Sequence, residues 1–343
     1  YSVGLALSSW EIDFFGRLGS LKEAALAQYL ASEEARNAAQ TSLVAAVAST
    51  WLSLQTNDEL LALTERTVAT REDSLRLSKL RFDNGATSAL DLRQAESLTA
   101  AAESALAQQQ RQRALDLNAL TLLVGQPLPA GLVDPARDAV TTTQPLFRDL
   151  PAGLPSDLIT RLADIRQAEQ TLIAANANIG AARAAFFPRI SLTGSVGSAS
   201  SELSGLFKGG SWGFTLAPQA LLPIFDAGRN RAGLESANAA RSIAVAQYEK
   251  AIQTAFREVA DALAGSATLG DQLTAQQVQA TAEAERFRLA ELRYRNGVSS
   301  FLDVLDAQRS LFTTQQALAQ TRLAQQQNQV ALYKALGGGW GPE

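Results

Sequence analysis

The chain has 343 residues, a net charge of −4 and no Cys, His or Met. That composition excludes disulfides, thiolate or imidazole metal sites and every His- or Cys-dependent catalytic scheme, and the acidic balance argues against a nucleic-acid partner. The length fits two ordinary domains or one elongated one, and no apolar run approaches the roughly 18 residues of a membrane-spanning helix.

The opening "YSVGLALSS" places Tyr1, Val3, Leu5 and Leu7 on one face, the period of a strand. From Gly16 to Asn84 there is no Pro, and Gly19 is the only internal Gly before the tip, so one nearly continuous helix is predicted. At 1.5 Å per residue it would be roughly 100 Å long. Leu54, Leu61, Val68, Leu75 and Phe82 fall seven apart, a narrow coiled-coil seam. "DNGATSALD" then turns the chain. Asn84-Gly85 suits a left-handed helix end, and Ser88 with Asp91 reads as a capping box opening a helix that runs to about Leu123.

An equatorial segment, 131–160, separates this unit from the next. An Ala-rich helix is predicted from about Ser156 to Ala185. "RISLTGSV" follows, with Ile190, Leu192 and Val196 on one face; then a Gly/Ser loop, then "WGFTLAPQALLP" with Trp212, Phe214 and Leu216 on one face. Trp10, Phe186, Phe187, Trp212 and Phe214 gather near strand ends, as in the aromatic belt of a membrane β-barrel. Three strands of about ten residues cannot close a barrel, so several chains would pool theirs.

The second half repeats the first at an offset of 212 positions: "LRYRNGVSSFLDVLDAQ" from Leu292 answers "LRFDNGATSALDLRQAE" from Leu80. Asn296-Gly297 answers Asn84-Gly85, and Ser300 with Asp303 answers Ser88 with Asp91. The reading is an internal duplication with repeats at 1–130 and 161–338 and a tail at 339–343. It predicts a further strand upstream of Tyr1. Such slender hairpins cannot bury themselves within one chain, which suits a ring of several chains. The copies diverge where Asp306 replaces Gln94 and Arg309 replaces Ser97. Asp306 and Arg309 share a helix face, either as a surface ion pair or as part of a gate.

"FFGR", "FDAGR", the two tips and above all "DIRQAEQTLIAANANIGAARAAFFPRISLTG" from Asp164 resemble the outer-membrane factors of bacterial tripartite efflux pumps, the TolC/OprM-type channels, closer to the OprM type. Leu162-Ala163 stands where that family usually has Arg-Pro, which bears on how the helix begins. OprM-like members also carry an acylated N-terminal Cys, making them lipoproteins.

The resemblance implies a mainly α, homotrimeric protein with a small β part. Staves of an outer-membrane β-barrel would continue into a long α-helical barrel in the periplasm. It implies a passive drug-efflux and antibiotic-resistance channel, not an enzyme, with no cofactor and no metal. Outer-membrane lipid, a periplasmic adaptor and an inner-membrane RND-type transporter would be its partners. Carried over residue by residue, Leu302, Asp306 and Arg309 form the gate, Tyr294 is an interhelix latch and Asp303 a candidate second acidic ring. Asn84, Gly85, Ser88, Asp91, Asn296, Gly297 and Ser300 would meet the adaptor at the periplasmic tip. A soluble coiled-coil scaffold or a pore-forming toxin is the alternative; the first leaves the alternating strands without a role.

Overall fold

In the computed structural model, residues 1–129 and 162–338 are described; the expected equatorial segment and C-terminal tail lie outside them. The elements are β1 (Ser2–Ile12), α1 (Arg17–Asp83), α2 (Ala89–Val124), α3 (Ala163–Ala184), β2 (Arg189–Ala199), β3 (Trp212–Leu221), α4 (Arg229–Arg295) and α5 (Phe301–Ala335). No described helix is long and apolar enough to cross a membrane. The part of the predicted third helix before residue 162 falls outside the described residues. Its observed start has no side-chain cap at Leu162.

Contacts divide the chain into two units, and each takes a piece of both sequence halves. One holds Tyr1–Ala38 and Ile159–Thr254, the other Ala39–Leu158 and Ala255–Glu343.

In the first unit the three strands form an antiparallel sheet in the order β1-β2-β3. Pairing sets rows across it. Leu5–Val196–Phe214 and Trp10–Leu192–Pro218 lie on one face; Gly4–Gly197–Gly213 and Ala6–Ser195–Thr215 lie on the other. One face is therefore apolar and aromatic, and the other is lined by small residues. A bulge between Leu7 and Trp10 supplies the extra residue that keeps Trp10 and Ile12 on the apolar face. The apolar face is uncovered: Leu5 is 80% and Phe214 82% exposed.

At the helix-side end of the sheet, Glu11 accepts hydrogen bonds from Arg17 at 2.7 and 2.6 Å and from Arg189 at 2.6 Å. This ties β1, β2 and the start of α1 together. Phe15 and Phe187 stack there at 4.7 Å. Asp226 caps α4 by accepting from the Asn230 and Gly228 amides at 2.8 and 3.0 Å. Those amides hold its carboxyl below the usual range. α3 bonds to both long helices, through Arg166–Glu34 at 2.5 Å and through Arg241 donating to Asn176 at 2.8 Å.

In the second unit the long helices pack as hairpins. Of the predicted leucine seam on α1, Leu54 and Val68 are buried, Leu61 and Leu75 half-buried and Phe82 exposed. The deeper seam lies three residues on and is polar: Asn57, Thr64, Arg71 and Ser78, seven apart, are all buried. Asn57 donates to Asp116 of α2 at 2.5 Å, and Arg71 donates to the Leu98 carbonyl at 2.8 Å. α5 reaches the same helix through Arg322–Glu59 at 3.1 Å and through Gln327 donating to Ser53 at 3.0 Å. α1 is thus clasped by α2 and by α5 around residues 49–59. Interhelix bonds from buried heptad positions fix register, because a one-turn slip would strand Asn57 and Arg71; Thr64 donates to the Leu60 carbonyl of its own helix at 2.7 Å.

Candidate functional site: the paired helix tips

Each tip is built by the same local rules. α1 ends with Gly85 at φ +70°, and α4 ends with Gly297 at φ +72°. In both, the residue after Gly donates back five positions: Ala86 to the Arg81 carbonyl at 2.7 Å, and Val298 to that of Arg293 at 2.9 Å. This left-handed C-terminal motif needs a residue without a Cβ. Asn84 and Asn296 each donate to the carbonyl four residues before, both at 2.7 Å. The expected capping boxes are present at Ser88/Asp91 and Ser300/Asp303. Asp91 also accepts from Thr87 at 2.8 Å. The Ser88 and Thr87 hydroxyls draw its carboxyl below the ordinary aspartate value. Asp303 acts in the same way toward Ser300, so both carboxylates have a structural task at their helix starts.

Above the tips the two hairpins differ. Asp306 is held through both oxygens inside the second hairpin. Arg286 of α4 donates to Oδ2 at 2.5 Å, and Arg309, one turn along α5, donates to Oδ1. Arg286 also bonds Glu283 at 3.1 Å, so Glu283–Arg286–Asp306–Arg309 forms a chain of alternating charge. The Arg286 hydrogen bond, aided by the charges of both arginines, pulls the Asp306 carboxyl below its usual range, and the same contact raises Arg286.

The sequence reading paired Asp306 with Arg309 and missed Arg286. The signal was available, because α4 and α5 run antiparallel from the tip at residue 297 and bring these positions level. A cavity of about 190 Å³ is lined by Gln94, Ser97, Leu302, Asp306 and Arg309. The diverged position pairs of the two hairpins therefore face one another across α2 and α5.

Tyr294 links α4 to α1. Its hydroxyl accepts from Arg81, whose guanidinium lies 4.9 Å from the ring centroid, and the ring packs 5.0 Å from Phe301. Arg81 is a second residue that the sequence reading missed. The aromatic residues expected in a membrane belt are all exposed. Trp10, Trp212 and Phe214 lie on the apolar face of the sheet, and Phe186 and Phe187 precede β2 at its helix-side end.

Two exposed strand faces of opposite character, two matched helical hairpins and a charge network at one tip invite comparison with known proteins. The family model for outer membrane efflux proteins matches residues 1–126 and 154–338. The chain belongs to that family. It is 49% identical over 340 residues to the solvent efflux pump outer membrane protein SrpC of Pseudomonas putida, covering 99% of this chain and 71% of that one. It is 48% identical over 344 residues to the outer membrane protein OprJ of Pseudomonas aeruginosa, covering 99% and 70%. Among solved structures, the open-state MtrE outer membrane channel of Neisseria gonorrhoeae matches with a TM-score of 0.85 at 40% identity, over 99% of this chain and 76% of that one. This efflux protein is an outer-membrane channel component with a helical periplasmic part, and it is not an enzyme.

Proposed function

We propose that this efflux protein is the outer-membrane exit duct of a tripartite multidrug pump. Three copies would each give four strands, one of them upstream of Tyr1, to a 12-stranded barrel, and their helical hairpins to a periplasmic tunnel. The apolar strand face would meet lipid and the small-residue face would line the bore. The chain would be a duplicated unit, a reading supported by α1 and α4 having the same length of 67 residues and the same tip geometry. A periplasmic adaptor would engage the tips, and an inner-membrane RND-type transporter would supply the drug.

The observation that carries the gating part is the Asp306 cluster. Three such clusters around a bore would hold the second hairpins in place, with Leu302 as an apolar constriction. Docking of the adaptor and transporter would then shift the second hairpin relative to the first, breaking contacts such as Arg81–Tyr294. The pairs are exposed, so each contributes at most about 1 kcal/mol and yields to modest binding energy. The assembly is tested by the mass and outline of the detergent-solubilised particle. A threefold tube is expected; a compact monomer would overturn the proposal.

A further inference from the structure

A further cavity, of about 280 Å³, lies at the helix-side end of the sheet, bounded by the starts of α1 and α4 and the end of α3. Phe14, Phe15, Phe187, Pro188, Leu221 and Pro223 give it apolar walls. Five charged side chains also line it: Glu11, Asp13, Arg17, Arg189 and Arg229.

Both carboxylates are already engaged. Glu11 holds Arg17 and Arg189, and Asp13 accepts from the Gly19 amide at 2.7 Å. The guanidiniums keep unused donors. Arg189 gives only Nε to Glu11, and its side chain is 60% exposed. Arg229 is exposed and forms no ion pair among the described residues; nearby Asp226 is committed to the Asn230 and Gly228 amides. The side chain of Asn230, the other polar residue of the lining, donates to the Ala185 carbonyl at 2.9 Å.

This lining favours one ligand charge. A cation would meet carboxylates that already have partners and three guanidiniums that repel it. A neutral molecule would gain the apolar walls alone. An anion gains the walls and the unused N–H groups, whose planar fork matches a carboxylate, sulfonate or phosphate. Size sets the body of the ligand: about 150 Å³ holds benzene, and drug-sized sites begin at about 300 Å³.

We infer that this cavity binds an amphiphilic organic anion, a small apolar ring system carrying one acidic group. The acidic group pairs with Arg189 and Arg229, and the rings lie against Phe14 and Phe187. Glu11 and Arg189 alternate with the residues of the apolar strand face and so belong to the small-residue face. On the proposed duct that face lines the bore, which makes the occupant a solute in transit. That placement rests on the duct reading, whereas the binding does not.

The test uses detergent-solubilised protein with 4-fluorophenylalanine in place of Phe14. It is titrated with 1-naphthalenesulfonate and separately with 1-naphthylmethylammonium, the same rings with the opposite charge, while the ¹⁹F resonance is followed. The sulfonate is expected to shift the resonance saturably and to bind more tightly than the ammonium. Arg189→Gln/Arg229→Gln should raise the sulfonate Kd at least fivefold and leave ammonium binding no weaker. Arg229→Gln alone removes no side-chain bond of the chain and repeats the measurement, with at least a twofold rise, should the double variant fold poorly. Lys208→Gln, an exposed cation in the loop at the far end of the sheet, should change nothing. Equal binding of the two probes, a sulfonate Kd that ignores the arginine variants, or an equal loss with Lys208→Gln would overturn the assignment. Tighter binding of dihexanoyl phosphatidylglycerol at the same arginines would give the site to lipid and overturn the solute in transit.

Discussion

The two hairpins have nearly equal lengths and share their left-handed turns and their capping boxes, and both carry polar bonds between their helices, yet at one matched position above the tips they are held differently. In the first, Arg71 is buried between helices, bonded to the Leu98 carbonyl and 5.3 Å from the centroid of the Phe312 ring. Burial pushes its guanidinium down from the ordinary arginine value. The equivalent position in the second hairpin is Glu283, at the head of an exposed ion-pair chain. Buried interhelix bonds such as Asn57–Asp116 and Arg71–Leu98 resist sliding because a shift leaves these groups unpaired in a low-dielectric interior. Exposed ion pairs exchange readily with water. At these matched positions the first hairpin is the stiffer and the second the more yielding.

The largest expected effect comes from giving the first hairpin the second one's residue. Arg71→Glu buries an anion against a carbonyl and should lower stability by about 3–5 kcal/mol, read as a denaturant midpoint. Arg71→Met, which keeps the length without the charge, should be close to neutral. If both behave alike, the seam is ordinary packing. Next comes the shared turn. Gly297→Val forces a β-branched residue to φ +72° and should cost about 1–2 kcal/mol, with loss of drug resistance in cells. Equal resistance would show that the tip tolerates distortion. The smallest effect belongs to the exposed chain: Glu283→Ala should change stability by less than about 1 kcal/mol.

The same chain sets a pH dependence. Asp306 has a folded value below its ordinary 3.8, so its contribution is complete above that value and is lost as pH falls through the lowered one. Conductance in planar bilayers should stay flat from neutral pH down to about 4 and rise only below it. A rise between pH 5 and 7 would point to a different group.

Much of this architecture was legible in the sequence because it is written in local rules. Pro-free spans gave the long helices, Asn-Gly gave the turns, and Ser-x-x-Asp gave the caps. Strand alternation showed the two faces of the sheet. What stayed hidden depends on which residues meet across elements. The leucine heptad on α1 drew attention from the better-buried Asn57, Thr64, Arg71 and Ser78, since polar residues in a helix read as a solvated face until their partners are known. The bulge before Trp10 broke the simple alternation. Arg286 and Arg81 were missed because each acts on a different helix, and spacing along one helix does not show level with another. The resemblance to the efflux channels supplied Tyr294, Leu302 and Asp306, which spacing alone would have left as surface residues.

The most direct test of the account compares single-channel conductance for Asp306→Ala/Arg309→Ala with that for Gln94→Ala/Ser97→Ala, the equivalent positions of the first hairpin. The account predicts a several-fold rise for the first pair and none for the second. Unchanged conductance in the first pair, or an equal rise in both, would contradict it.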